Sequence, residues 1–469
     1  MKSHNLLFAV LTAIFVGMLS SCSKRSEILD SVPPDVTMVA TVNIDKMCSA
    51  VGVTLKDDGT AEIAAPAQRW MNGVQKELNT LATLKSQGVF DIENMVIALD
   101  GDVKYCIMSI DDEDKVMEAT RDNIGWNDAT DGYRIGRMDG STFLMKDGLL
   151  WIVSGSRDAV KSVSDMNKRA REMSVGKLDG VAAAMTRDNM ANIAVASGFA
   201  SLTTSGKSDT EIPAQDKEWN VASLQQGADG SLVLDWQLMQ STGRTLQPKG
   251  LQPVNPALLA YVPENFNVVA AAGLTGEFDW EPLRKIVMMV GGFQTAAFMS
   301  VVNPYLESID GTMLLAFAPS DPAMLAEGDA SDWDFIAMIH MPQAKINALT
   351  DMIKNMFATA GMTPTVTPQG LIAVPQYGKT MYIGNVDGYL GISTIGFDNT
   401  RNNSLAPTFV NKDMAACVSL RPLSDFLPTA PKGTDLLLSM GMDNGKGEIK
   451  LQAGGTQLPV LLFLMDAIR

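Results

Sequence analysis

Val32-Pro33-Pro34-Asp35-Val36-Thr37-Met38-Val39-Ala40 returns in looser form as Val262-Pro263-Glu264-Asn265-Phe266-Asn267-Val268-Val269-Ala270. In both, a proline and a carboxylate or amide precede a Val-Ala strand. Further on, Phe143-Leu144-Met145 before Asp147 and Gly148, then Leu149 to Ser154, is echoed by Met381-Tyr382-Ile383 before Asp387 and Gly388, then Tyr389 to Ser393. A third echo pairs Gly230 to Leu238 with Gly447 to Ala453. Three echoes in one order point to two copies of one unit. The repeats are expected over residues 33–241 and 257–469, with a linker at 242–256 where Gly243, Pro248, Gly250 and Pro253 stand among polar residues. The rival reading is one large domain in which strand motifs coincide.

Within a copy, Val36, Met38, Ala40, Val42 and Ile44 alternate with mostly polar neighbours, which predicts a strand with one buried face. Trp70, Val74, Leu78 and Leu81 recur at helical spacing, and Gly88 is placed to end that helix. The apolar run from Met95 to Ile110 is broken by Asp100 and Gly101, a pair suited to a hairpin turn. Asp111 to Asp114 suit a helix N-terminus and read as a solvated cap rather than a calcium loop. Short strands around Tyr133 to Met138, Ser141 to Met145 and Leu149 to Ser154 predict a meander, followed by a helix from Arg157 to Arg171. The expected fold is therefore α+β, two tandem copies of a mainly antiparallel sheet-plus-helix unit.

At the N-terminus, Lys2 and His4 precede the apolar stretch Leu6 to Leu19, and Ser20 and Ser21 lead into Cys22. About fourteen apolar residues fall short of the roughly twenty that span a hydrocarbon core, so residues 1–21 read as an export signal. The junction resembles the lipobox of bacterial lipoproteins. That resemblance implies cleavage before Cys22 and lipidation of Cys22, with residues 22–32 as a tether to the membrane. The lipobox, the Val-Pro opening before a Val-Ala strand and the doubled organisation together resemble a Bacteroidales lipoprotein family classed as a domain of unknown function. That family implies no catalytic, metal-binding or cofactor-binding residues. Its surface-displayed members carry an acidic run after the cysteine; here Ser23-Lys24-Arg25-Ser26-Glu27 follows, which favours an outer-membrane protein facing the periplasm. Asp30-Ser31-Val32 also matches the short O-glycosylation motif of exported proteins in that group.

The 469 residues are 46% hydrophobic and 19% charged, enough for two or more cores. The formal net charge of −16, with no basic stripe, opposes binding to nucleic acid or anionic headgroups. Beyond Cys22, the cysteines Cys48, Cys106 and Cys417 are odd in number and lack metal-type spacing. Cys106 and Cys417 lie in apolar strand-like runs and read as buried, while Cys48, following a strand, is the candidate for exposure. The uncharged segment Ile286 to Val302 contains Gln294, Thr295 and a Gly-Gly pair and is only seventeen residues long, so it reads as a buried or groove-forming helix. The apolar C-terminus from Leu458 to Ile468 is expected on the second core.

Catalytic sets are largely missing. Beyond the signal the only histidine is His340, which removes histidine-rich zinc sites and most nucleophile triads. Ser205-Gly206-Lys207-Ser208 resembles the end of a phosphate loop, but the glycine it requires is Ser201. Ser174 and Lys177 have serine-lysine spacing without a companion motif. Met338 and His340 share one strand face with Met341 opposite, which reads as core rather than as a copper(I) site. Thirty methionines serve either core filling or adaptable apolar grooves. The expectation is a lipid-anchored envelope protein that binds or scaffolds without catalysis, attached by its acyl anchor, with an envelope protein as possible partner, no nucleic acid and no cofactor. The alternatives are a carboxylate-based envelope glycan hydrolase and a carrier of an apolar ligand.

Overall fold

The computed structural model describes residues 24–196, 217–281, 303–319, 333–359, 361, 363–376, 378–401, 403–420, 432–454 and 460–462. The leader 1–21, Cys22, Ser201, Ser205 to Ser208 and Ile286 to Val302 lie outside the described residues. The chain divides into two compact units, residues 1–246 with 457–469, and residues 247–456. Each is α+β with an antiparallel sheet, and among the described residues no helix is long and apolar enough to cross a membrane.

In the first unit, helix α1 (Lys24–Leu29) leads to strand β1 (Met38–Val42). The sequence alternation runs on to Ile44, but the strand stops two residues earlier. The Asn43 side chain accepts from Lys46 N at 2.5 Å and caps helix α2 (Ile44–Ala50), so capping chemistry overrides periodicity. A small hairpin, β2 (Val53–Leu55) and β3 (Ala61–Ile63), follows. The helix expected from Trp70 to Leu81 is interrupted. Helices α3 (Gln68–Met71) and α4 (Gln75–Ser86) flank a 3₁₀ turn at Asn72–Val74, where Gly73 weakens helical backbone. Gly88 ends α4 as read, with φ +64° and with Gly88 N and Val89 N donating to the Lys85 and Leu84 carbonyls.

Strands β4 (Met95–Asp100) and β5 (Val103–Ser109) form the expected hairpin. Helix α5 (Glu113–Thr120) opens on Asp112, whose carboxylate accepts from Asp114 N and Lys115 N, so this acidic run is a cap. The meander β6 (Gly125–Thr130), β7 (Tyr133–Met138), β8 (Ser141–Lys146) and β9 (Leu149–Ser154) precedes helices α6 (Ala159–Glu172) and α7 (Asp179–Met185). Strands β10 (Ala191–Ala196), β11 (Glu218–Gln226) and β12 (Leu232–Gln240) complete a sheet of order β6-β7-β8-β9-β5-β4-β1-β10-β11-β12. Both faces are covered. Val96 and Ala98 join Ile28 and Leu29 of α1 and Val163 and Met166 of α6, whereas Ile97 joins Ile44 of α2, Ala82 of α4 and Val116 of α5. Double burial explains why Met95 to Ala98 is continuously apolar instead of alternating.

Two sequence expectations need correction here. The described part of the stretch read as a tether, 22–32, belongs to the body: Ile28, Leu29 and Val32 are fully buried. Of the C-terminal segment only residues 460–462 are described, and they do not pack on the second core. Leu462 is buried in the first unit's core and Val460 N donates to the Gly230 carbonyl at 3.3 Å, because an apolar segment goes to uncovered apolar surface whatever its place in the chain.

The second unit contains β13 (Leu251–Gln252), β14 (Val268–Leu274), β15 (Gly311–Pro319), β16 (Trp333–His340), helix α8 (Gln343–Thr359), β17 (Thr365–Val366), β18 (Ile372–Gln376), β19 (Lys379–Val386), β20 (Tyr389–Ser393), β21 (Met414–Leu420), β22 (Asp435–Asp443) and β23 (Lys446–Gly454). Its strand order is β17-β18-β19-β20-β16-β15-β14-β21-β22-β23, with β13 on the end of β14. The division between the units falls at Leu246 and Gln247, inside the stretch read as linker.

Candidate functional site

The alternation of the second sheet sends two sets of side chains to opposite faces. Val269, Leu314, Ala316, Ile336, Met338 and Cys417 point to a closed core with Leu258, Leu259 and Phe409. On the other face, Ala272, Met313 and Ile339 are covered by Trp280 and by Ile346, Leu349 and Ile353 of α8. Toward the other end of the same strands the ladder continues with apolar residues. One cross-strand row is Phe335, Phe317, Val268, Val418, Leu438 and Leu451; the next is Ala337, Leu315, Ala270, Ala416, Met440 and Ile449. Leu315, Leu438 and Met440 are 44%, 39% and 38% exposed, and the other nine are half-buried. Six strands at about 4.8 Å spacing make each row about 24 Å long.

The backbone beneath the rows is taken up in the strand ladder, and neither row contains a charged or hydrogen-bonding side chain. Phe317 of the first row stacks on Trp333, with centroids 5.0 Å apart and 18° between planes. An occupant of this face gains contact and loses water, but finds almost no hydrogen bonds. The sequence hid the surface, since Met313 to Ala318 and Leu436 to Leu438 read like strands buried on both faces. The available signal was the continuous apolar run in β22 combined with polar residues of β23, Glu448, Lys450 and Gln452, on alternate positions.

The residues singled out for chemistry separate into structural roles. Ser174 Oγ donates to Asp30 Oδ1 at 2.8 Å and is fully buried, so it is spent on pinning the segment after α1. Asp30-Ser31-Val32 is folded in the same place: Val32 is buried and its carbonyl accepts from Val175 N at 2.8 Å. Met338 lies in the closed core and Met341 in the cluster under α8, while the His340 ring contacts Tyr389 at 5.2 Å and its Nδ1 meets the Asp310 carbonyl. Among the described residues, no group of three or more His, Cys, Asp or Glu side chains is placed to hold a metal. Cys48, Cys106 and Cys417 are free and buried. This corrects the exposed reading of Cys48, whose position on α2 turns it inward. Burial pushes the thiols of Cys48 and Cys106 up to about 12, far from a reactive thiolate.

Two concavities bear on the alternative functions. A cleft of about 550 Å³ in the first unit is lined by Asp100, Tyr105, Ser162, Asp165 and Arg169, among others. Two of its acids are engaged: Arg169 bridges Asp100 to Asp35, the latter at 2.8 Å, while Lys161 holds the Asp165 carboxyl below the ordinary range. A general acid for glycoside cleavage needs the opposite shift. An open groove of about 740 Å³ in the second unit is lined, among the described residues, by Ala348, Asp351, Met352, Asn355, Met356 and Thr359, all on α8.

No family model matches this sequence, and no curated protein matches it. Two solved structures, crystal forms I and IV of TP0453, are similar at TM-scores of 0.26 and 0.25 and identities of 6% and 7%. The likeness covers 45% and 46% of this chain and 78% and 83% of theirs, and at that distance it carries no argument about fold or function.

Proposed function

We propose that this is a lipid-anchored, non-catalytic binding protein of the cell envelope, attached through Cys22 to the outer membrane and facing the periplasm, whose second unit holds a hydrocarbon chain against its sheet. The observation that carries the binding role is the pair of uncharged rows on β16-β15-β14-β21-β22-β23. Hydrocarbon suits them better than extended peptide, because peptide amides laid on a surface without donors or acceptors would be desolvated unpaired. A second copy suits them less, since each chain brings a net charge of −16. Two copies of one unit are part of the same proposal. Support comes from the strand orders, which correspond position by position, and from the Asp-Gly turns of β8–β9 and β19–β20, where Asp147, Gly148, Asp387 and Gly388 all have positive φ.

A fluorescent long-chain fatty acid titrated into the purified protein tests the hydrocarbon site. Saturable binding is expected, weakened at least about tenfold by Leu438→Lys or Met440→Lys, which place an ammonium among the apolar rows. Absence of saturable binding, or binding by both variants as tight as by the wild type, contradicts the proposal. A partner protein that is captured instead, and is lost in the same variants, replaces hydrocarbon by a scaffolding role.

A further inference from the structure

We infer that the first unit is held close against the lipid surface by the side that carries α1 and the turn Ser174–Lys177, with at most two residues between anchor and body. The inference rests on the lipid-anchor reading of Cys22. What the structure adds is how close the described helix comes to the anchor. Helix α1 covers Lys24–Leu29, so at most two residues, Cys22 and Ser23, separate it from the acylated position, a reach of at most about 7 Å.

From Ile28 onward the chain is locked. Ile28 and Leu29 are fully buried among the residues of the sheet face shared with α6 and α7. Asp30 Oδ1 accepts from Ser174 Oγ at 2.8 Å, and Val32 O accepts from Val175 N at 2.8 Å, so the chain is clamped on both its side-chain and backbone groups. Pro33 and Pro34 are buried as well, which stiffens the exit toward β1. A body joined to its acyl chains by two residues cannot stand off or swing freely, so the surface beside α1 faces headgroups. Exposed Ser26 and Glu27 lie on that surface, whereas exposed Glu118 on α5 lies over the opposite sheet face.

The test uses the mature acylated protein in vesicles of phosphatidylcholine and phosphatidylethanolamine with a headgroup-borne quencher. A fluorophore is placed on Glu27→Cys or, separately, on Glu118→Cys; the buried native thiols Cys48, Cys106 and Cys417 do not compete. Quenching is expected at position 27 and not at 118, with loss of the difference when about twelve Gly and Ser residues, a mean span of about 20 Å, are inserted between Ser23 and Lys24. Acylation is read in parallel by mass. An acylated protein with equal quenching at both positions, or one unaffected by the spacer, overturns the inference and leaves the anchor standing. A protein without acyl chains overturns both.

Discussion

Tyr261 shows how much one buried phenol reports about the second unit. Its hydroxyl donates to Asp387 Oδ2, and its ring meets Phe397 edge-on with centroids 6.5 Å apart. Burial and the neighbouring carboxylate push its ionisation up to about 12 from an ordinary value of 10.0. The folded chain thus keeps a proton that the unfolded chain releases near pH 10. The stability this confers is complete below that pH and is lost as pH rises toward 12. Unfolding free energies from urea titrations should therefore converge for the wild type and Tyr261→Phe between pH 10 and pH 12. A constant difference across that window contradicts the assignment. None of this was legible in the sequence, because Tyr261 and Asp387 are far apart in the chain and meet only when a 3₁₀ turn at Pro256–Tyr261 closes on the β19–β20 turn. By contrast, the reading of Met338 as core required only strand parity.

Among the elements, α1 departs most from what its sequence announced. A six-residue helix after a basic and serine-rich start reads as a tether, yet Leu29 is fully buried between the sheet and the turn at Val175. Leu29→Ala should cost about 2–5 kcal/mol in denaturant unfolding, the range for emptying a closed core site. Glu27→Ala, on the exposed side, should change little. Equal small effects would mean that α1 is not part of the folded body. The elements that were legible owe it to local chemistry: Asp112 before α5, Gly88 after α4 and the turn between β4 and β5 act within a few residues of themselves. Those that were misjudged, the end of β1 and the break at Gly73, depend on whether a cap or a glycine outweighs periodicity, a balance of about 1 kcal/mol.

At the scale of the whole molecule, the α+β antiparallel character was readable because short apolar runs and Asp-Gly turns recur along the chain. The apolar face was not. A strand covered on both sides and a strand with one side open read alike, and beyond the polar alternation of β23 only the register of six strands tells them apart. The C-terminal segment was misplaced for a related reason, since apolarity fixes that Leu462 is buried but not where. The functional proposal joins an anchor at one end of the chain to a hydrocarbon-binding face in the second unit, and its central claim is the anchor. The most direct test is the intact mass and N-terminal sequence of the protein extracted from its native envelope. The account predicts a chain beginning at Cys22 with a mass excess equal to attached acyl chains. A chain that retains Met1 to Ser21, or begins at Cys22 with a free thiol, would contradict it.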